Sequence, residues 1–223
     1  EEIKQDVLEQ LLWDSRIDAS DISVDVSNGV VTLRGTVPTY LSRSAAFSNT
    51  WNIVGVTGVH NELSVRYPAR VAVPTDEEME RHIQNILQLD PDIDAMNIEV
   101  NVESGEVTLN GSVEAFWQKQ HVEDLIAGHR GVLRIRDNLS VVPTNDYMDL
   151  DIAKAIVAAL DRNVLVNAEE IDVRVKDSAV TLSGTVPNWQ ARRAAYEAAL
   201  YTPGVAKVKN NINVSSGRAR TYV

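Results

Sequence analysis

The residue types best suited to catalysis or metal binding are few in this sequence. It has no cysteine, and His121 and His129 are eight residues apart rather than at the spacing of three or four that puts two ligands on one helix face. A serine nucleophile needs a base beside it, and neither a Gly-x-Ser-x-Gly nor a Ser-x-x-Lys motif occurs. The sequence therefore predicts no enzyme, no cofactor and no resident metal ion. Surface or capping roles are predicted for the histidines, which are His60, His82, His121 and His129.

One acidic segment is similar to the start of a calcium-binding loop. Asp90, Asp92 and Asp94 alternate as the first oxygen ligands of such a loop do. The places of its glycine and its bidentate glutamate, however, are taken by Ala95 and Asn101. Acidic segments also occur in WDSRIDASD from Trp13 and DRNVLVNAEE from Asp161. We interpret all three as solvated loops and keep a cation-responsive binding protein as an alternative.

The sequence segment predicted to form the secondary structure around these residues occurs three times. The copies are ISVDVSNGVVTLRGTV, IEVNVESGEVTLNGSV and IDVRVKDSAVTLSGTV. Their late glycine, which is Gly35, Gly111 and Gly184, recurs after 76 and then 73 residues. A second motif starts 20 residues after each of these glycines, as GVTGVHNEL, GVLRIRDNL and GVAKVKNNI. Solenoid repeats are roughly 20 to 50 residues long, so the longer period predicts three small domains with separate cores.

Each copy predicts the same order of elements. A helix with one apolar stripe comes first, and in the first unit this stripe is Ile3, Val7, Leu8, Leu11 and Leu12. A hairpin with period-two alternation, a second helix and a final strand follow. The predicted class is α+β, as three tandem small domains, each helix-strand-strand-helix-strand with two helices on one face of a three-stranded mixed sheet. Predicted boundaries are 1–68, 75–143 and 144–217, with a tail at 218–223.

Glycine and its substitutes mark the hairpin. Tight hairpin turns favour residues that tolerate positive φ, which Asn28-Gly29 and Ser104-Gly105 supply, whereas Asp177-Ser178 makes a poorer turn. Gly35 and its two equivalents are predicted to lie where the backbone approaches another segment closely or bends.

Charge is distributed unevenly between the units. The formal net charge is −11, with −3 in residues 1–70, −9 in residues 71–143 and +1 in residues 144–223. Because nucleic-acid binding depends on a basic surface, we predict no nucleic-acid partner. An anionic partner is expected to contact the third unit.

Strand alternation predicts which cations share the open face of the third sheet. Val173 and Val175 face the helices, so the outward residues are Arg174, Lys176, Lys207 and Lys209. Arg192 and Arg193 start the neighbouring helix, on the opposite layer or its rim. In the middle unit, the same parity exposes Glu99, Asn101 and Glu103 with Arg134 and Arg136, which we expect to neutralise one another across strands.

Aromatic residues stand near the start of every second helix, as Tyr40, Phe116 with Trp117, and Trp189. Trp189 and its counterparts suit either a membrane headgroup interface or the end of their own core. Trp13 and Trp51 have the same two alternative roles, and packing between units is a third.

The linkers RYPARVAVPTD and VVPTNDY are short and contain proline, which limits the orientations of the units. Uncovered sheet faces are then candidates for burial between units.

The hairpin pattern V-x-V-x-x-G-x-V-T-L-x-G-x-V and the terminal G-V-x-x-V-x-N-x-L resemble the BON domain (bacterial OsmY and nodulation) family, three times over nearly the whole chain. Ser178 in the third hairpin and Ile212 in the third terminal strand depart from these patterns. The resemblance implies a bacterial protein that binds phospholipid membranes in envelope or osmotic stress. The motif glycines are scaffold residues in this family, so the resemblance transfers no catalytic residue.

We therefore predict a non-enzymatic, OsmY-like protein that binds anionic phospholipid, mainly through the third domain. The predicted contact residues are Arg174, Lys176, Lys207, Lys209, Trp189, Arg192 and Arg193. Envelope proteins are the other candidate partners, as ligands of a protein-interaction scaffold that uses open sheet faces and aromatic residues. No transmembrane segment is predicted. The resemblance favours the periplasm, and the lack of an apolar leader in the sequence keeps the cytoplasm as the alternative.

Overall fold

The computed structural model describes residues 1–215, which form three units with one order of elements. The first contains α1 (Glu2–Trp13), β1 (Ile22–Ser27), β2 (Val30–Val37), α2 (Tyr40–Trp51) and β3 (Gly58–Val65). The second contains α3 (Asp76–Leu89), β4 (Ile98–Glu103), β5 (Glu106–Val113), α4 (Phe116–Ala127) and β6 (Arg134–Val141). The third contains α5 (Asp149–Asp161), β7 (Ile171–Lys176), β8 (Ala179–Val186), α6 (Trp189–Leu200) and β9 (Lys207–Val214). The predicted element order is confirmed, and the predicted tail at 218–223 lies outside the described residues.

Each unit has a three-stranded mixed sheet, as predicted. In the first unit, β2 is central and pairs antiparallel with β1 and parallel with β3. The two-residue turn can only join antiparallel strands, and the parallel pair requires α2 as its crossover. The second and third sheets repeat this topology in the orders β4-β5-β6 and β7-β8-β9.

Both helices of a unit cover one face of its sheet and form a core with it. In the first unit Leu11 and Leu33 are fully buried, and Ala46 packs with them from α2. The predicted inward position of Leu12 is wrong, because its side chain is 71% exposed. Successive helix residues are about 100° apart, so Leu12 points past the sheet when Leu11 points at it.

The backbone at the hairpins explains the repeated glycines. A Cβ at Gly35 would lie only 1.8 Å from the carbonyl oxygen of Asp21, so the predicted close approach is confirmed there. All three turns use two consecutive residues with positive φ, including Asp177 at 51° and Ser178 at 60°. The poorer sequence of the third turn therefore adopts the same conformation as the Asn-Gly turn, at the strain that a non-glycine residue has there.

The three units close into a ring through aromatic residues that start equivalent helices. Tyr40 of the first unit is 7% exposed and packs in the core of the second. Phe116 of the second unit packs against the core of the third. Trp189 of the third unit stacks on Trp51 of the first, with ring centroids 4.3 Å apart and planes at 13°. We call these three contacts the seams, and because each uses the equivalent residue the ring has threefold pseudo-symmetry.

The seams leave the outer sheet faces exposed. Of the two alternatives for the sheet faces, open or buried between units, the described residues show the open one, because Asp25, Asn101 and Arg174 on the three outer faces are exposed. Among the tryptophans, Trp51 packs between units, whereas Trp13 is 80% exposed. Short linkers bring the end of one unit against the start of the next, which favours end-to-end contact over the stacking of sheets.

Candidate functional site

The register of the third sheet brings its four outward cations together. Lys176 and Lys207 lie on either side of Ala179, and Arg174 and Lys209 on either side of Thr181. Neighbouring strands are about 4.8 Å apart, so the two cations of each row are roughly 10 Å apart across the sheet. All four are exposed. We call this group the cationic face.

The charge of the cationic face is only partly neutralised. Arg174 Nε donates to Asp172 Oδ2 at 2.7 Å. Within residues 1–215, none of the three lysines forms an ion pair. Ala179 and Thr181, which lie between the cations on the central strand, are uncharged and neutralise none of them. The face thus carries four cations against one carboxylate.

The corresponding faces of the other units have carboxylates in excess. In the first, Arg34 lies 2.6 Å from Asp25 and 2.8 Å from Glu62. In the second, Arg136 and Arg134 both pair with Glu106, at 2.5 and 3.4 Å. The predicted neutralisation of these arginines therefore occurs, but with Glu106 rather than Glu99 or Glu103. Glu106 lies directly beside Arg134 on the central strand, whereas Glu99 and Glu103 lie on the far strand.

Trp189, Arg192 and Arg193 lie on the helix layer, away from the cationic face. The Arg192 guanidinium lies 4.9 Å from the Trp189 ring centroid and 5.7 Å from that of Trp51. Its Nε donates to the Ile212 carbonyl at 2.9 Å, and burial lowers its pKa. Arg193 is exposed and pairs with Glu197 at 2.8 Å. Trp189 and Arg192 are thus engaged in the seam between the third and first units.

Sequence reasoning missed a glutamate where the units meet. Tyr40 Oη donates to Glu123 Oε1 at 3.0 Å across the first seam. Burial raises the pKa of Glu123 above its usual range, against the opposing effect of the Tyr40 hydrogen bond. Burial and the Glu123 charge raise the pKa of Tyr40 to about 12. Burial also raises the pKa of Tyr196 in the third unit, and the Glu123 charge adds to this effect. Glu123 therefore lies close to groups of both other units.

The structure also joins His121 to the acidic loop, which spacing along the chain did not predict. His121 Nε2 lies 2.9 Å from Asp90 Oδ2, and ligand atoms of His121, Asp90 and Asp92 all lie within 4.8 Å of one another. Asp90 Oδ1 accepts from the Asp92 backbone N–H at 3.0 Å. This arrangement has a structural counterpart without histidine in the first unit.

In the first unit, Asp14 follows α1 as Asp90 follows α3. The Asp14 carboxylate accepts hydrogen bonds from the Arg16 backbone N–H at 3.0 Å and from Asn49 Nδ2 at 2.6 Å. Hydrogen bonds to Arg16 and Asn49 lower the pKa of Asp14. The shared role of these carboxylates is to fasten the second helix to the loop after the first. His121 and Asp90 are therefore explained as a structural staple.

Comparison with known proteins decides the family. A sequence model of the family described as BON domain matches residues 1–67, 75–143 and 149–216. The chain belongs to the BON domain family. The three matches follow the three structural units of this BON protein, and the resemblance carried by its hairpin and GV motifs is confirmed.

The other comparisons add little to the family assignment. No curated protein matches the chain. One similar solved structure is of CdsD, described as a structural protein of the Type III secretion system of Chlamydia trachomatis, with a TM-score of 0.28, 14% identity and coverage of 98% of this chain and 94% of that chain. A second, the C-terminal domain of CdsD, has a TM-score of 0.27, 15% identity and coverage of 94% and 95%. At this similarity neither structure bears on the function of the BON protein.

Among the described residues, no helix combines the length and apolar character needed to cross a bilayer.

Proposed function

We propose that this BON protein binds anionic phospholipid surfaces without catalysing a reaction, and that its contact is the cationic face. One observation supports this surface above the others. On the corresponding sheet faces of the first two units the arginines are ion-paired and carboxylates are in excess, whereas the face of the third unit carries three lysines without an ion pair in residues 1–215. The BON family's association with phospholipid membranes and envelope stress supports the same ligand and a periplasmic location.

The strength of such a contact follows from membrane electrostatics. A basic residue near an anionic bilayer contributes about 1 kcal/mol, so four acting together contribute about 4 kcal/mol before screening. That energy corresponds to a roughly thousandfold increase in affinity for the anionic surface. The Debye length is about 8 Å at physiological salt, so binding is expected to weaken steeply as salt rises.

The test is flotation with vesicles that contain or lack phosphatidylglycerol. The variant Lys176→Glu, Lys207→Glu, Lys209→Glu reverses three charges of the cationic face. Its matched control, Arg70→Glu, Arg81→Glu, Lys154→Glu, makes the same change of net charge at exposed positions elsewhere. The first variant is expected to lose about 100-fold or more in affinity for anionic vesicles and the control much less. Equal losses would show that net charge matters and the face does not, which would overturn the proposal.

The alternatives have less structural support. A scaffold that recruits proteins through its aromatic residues would need Tyr40 and Trp189, but these pack in seams of the BON protein itself. A cation-responsive protein would need free carboxylates, but Asp90 is hydrogen-bonded to His121, and Asp94 Oδ2 accepts from Asn97 at 2.8 Å. We therefore propose neither.

A further inference from the structure

β7 is an edge strand of the third sheet, so one side of its backbone faces away from the sheet. The hairpin closes at the Lys176–Ala179 pair, and alternate residues from Lys176 backwards therefore bond to β8. The residues between them, Val173 and Val175, direct their N–H and carbonyl groups away from β8. Within residues 1–215 these groups form no backbone hydrogen bond on that side. The edge of β7 can therefore pair with another strand.

The apolar side of this edge is incompletely covered. Val173 is half-buried, whereas its equivalents Val24 and Val100 in the first two sheets are each only 3% exposed. Val175 is half-buried as well. Free backbone groups and apolar side chains thus occur together at the edge of β7, and a strand added there would satisfy the first and bury the second.

The charges along β7 make this strand complementary to itself. From Glu170 the sequence reads EIDVRVK, with two carboxylates before Val173 and two cations after it, and all four charged residues are exposed. An antiparallel copy of the strand reverses this order. When Val173 is placed opposite Val173 of a second copy, Asp172 lies opposite Arg174 and Glu170 lies opposite Lys176. Each carboxylate of either strand then has a cation across from it.

The same register pairs the free backbone groups. Val173 N–H faces the Val173 carbonyl of the second copy and Val175 N–H faces the Ile171 carbonyl, and a twofold axis repeats both contacts. Asp172 and Arg174 then form a non-hydrogen-bonded pair, in which side chains lie closer together. A shift by two residues would put Arg174 opposite Arg174. A shift by one residue would turn the apolar side chains to the wrong face. The charge order and the backbone therefore select one register.

The corresponding edge strands of the other two sheets lack this complementarity. Neither has a cation among its outward residues, which are Ser23, Asp25 and Ser27 on β1 and Glu99, Asn101 and Glu103 on β4. No antiparallel register of either strand with itself therefore brings opposite charges together. Self-recognition at a sheet edge is a property of the third unit.

We propose that this protein forms a twofold-symmetric dimer in which β7 pairs antiparallel with β7 of a second copy, centred on Val173. The two three-stranded sheets become one continuous sheet, and the two cationic faces lie on the same side of it. Within one chain Arg174 Nε donates to Asp172 Oδ2 at 2.7 Å, and these side chains are 79% and 53% exposed. Both can therefore exchange this partner for its equivalent on the second copy. The inference does not depend on lipid binding.

Sedimentation velocity of the whole chain over a range of concentrations measures the dimer. The wild type is expected to reach twice the mass of one chain. The variant Glu170→Lys, Asp172→Lys makes the edge wholly cationic, and Arg174→Glu, Lys176→Glu makes it wholly acidic. Each variant should weaken dimerisation at least about tenfold, because every cross-strand pair becomes like-charged.

An equimolar mixture of the two variants is the decisive sample. It restores opposite charges across the edge and should form a heterodimer, which also shows that both variants are folded. The control Glu99→Lys, Glu103→Lys makes the same change of net charge as the cationic variant, at exposed positions on β4. It should dimerise as the wild type does.

A wild type that stays monomeric at all concentrations would overturn the proposal, even where a strand of another protein binds the edge. Equal dissociation of the β4 control, or a mixture that remains monomeric, would overturn it as well. Glu170→Lys, Asp172→Lys retains the cationic face, so its flotation with phosphatidylglycerol vesicles should persist when dimerisation is lost. The failure of the dimer is therefore distinguishable from the failure of lipid binding.

Discussion

Single residues decide how well each copy of the hairpin turn fits its conformation. Asn28 and Gly29 suit two successive positive φ angles, whereas Ser178 takes a φ of 60° with a side chain present. The third turn adopts the common shape because its strands are held by the core and by Asp149, whose carboxylate accepts from the Asp177 and Ser178 backbone N–H groups, each at 2.9 Å. Tertiary contacts thus offset a local preference.

Ser178→Gly is expected to stabilise the third unit by about 0.5 to 1 kcal/mol, because glycine adopts positive φ without a side-chain clash. Urea unfolding monitored by circular dichroism measures the change. The opposite exchange in the first unit, Gly29→Ala, should destabilise, since its Cβ would lie 2.8 Å from the Gly55 carbonyl oxygen. A Ser178→Gly variant no more stable than wild type would contradict the strain argument.

At the scale of elements, polar side chains protect one exposed edge strand of each sheet, namely β3, β6 and β9. β3 is an edge of its sheet, and Asn61 Oδ1 on it accepts from the Leu63 backbone N–H at 3.2 Å. Arg43 Nε on α2 donates to the Leu63 carbonyl at 2.9 Å. Arg192 and Asn210 repeat this arrangement on β9, with Lys119 and Asp137 in their places on β6. Unpaired edges invite intermolecular strand pairing, which these side chains oppose.

Arg43→Met keeps much of the apolar stem but removes both donors to the β3 carbonyls. We expect a loss of about 1 to 2 kcal/mol in stability, because the partly buried carbonyls lose a charge-assisted hydrogen bond. Thermal unfolding provides the first measurement, and light scattering tests for increased aggregation. Arg193→Met on the exposed side of α6 is the control and should change neither.

The elements were predictable from sequence because their signals are local. Period-two alternation and the turn residues defined the hairpins, and the parity of Arg174 and Lys176 placed them on the outer face that the structure shows. The contacts of His121 and Glu123 were not predictable in this way. His121 meets Asp90 across 31 residues and Glu123 meets Tyr40 across 83, so only the packed chain brings them together. Trp189 likewise had a predictable helix position but an unpredictable neighbour.

At the scale of the whole molecule, the seam between the third and first units closes the ring. It joins residues far apart in sequence, and Trp51 contributes its ring face while its Nε1, within the described residues, has no hydrogen-bond partner. Stacked aromatic pairs contribute beyond the area that they bury, and the Arg192 guanidinium adds a cation–π contact.

Trp189→Ala should therefore open this seam, with a loss of about 2 to 4 kcal/mol in stability. Small-angle scattering is expected to show a larger radius of gyration with helix and strand content unchanged. Trp51→Phe retains a stacking ring and loses no hydrogen bond to the described residues, so it should cost less than about 1 kcal/mol. Vesicle binding by the cationic face is expected to survive Trp189→Ala. Its loss together with an intact ring would instead support direct lipid contact by Trp189.

Glu123 is expected to make the stability of the junction between the units depend on pH. Because burial raises its pKa in the folded protein, its neutral form is the one that the junction favours. The stability that it contributes is complete below its unfolded pKa and is lost as pH rises through the raised folded pKa. Glu123→Gln keeps an acceptor for Tyr40 but does not ionise. The stability of this variant relative to wild type should therefore increase from pH 4 to pH 8 in urea unfolding. A Glu123→Gln difference that stays constant with pH would exclude the carboxyl as the cause.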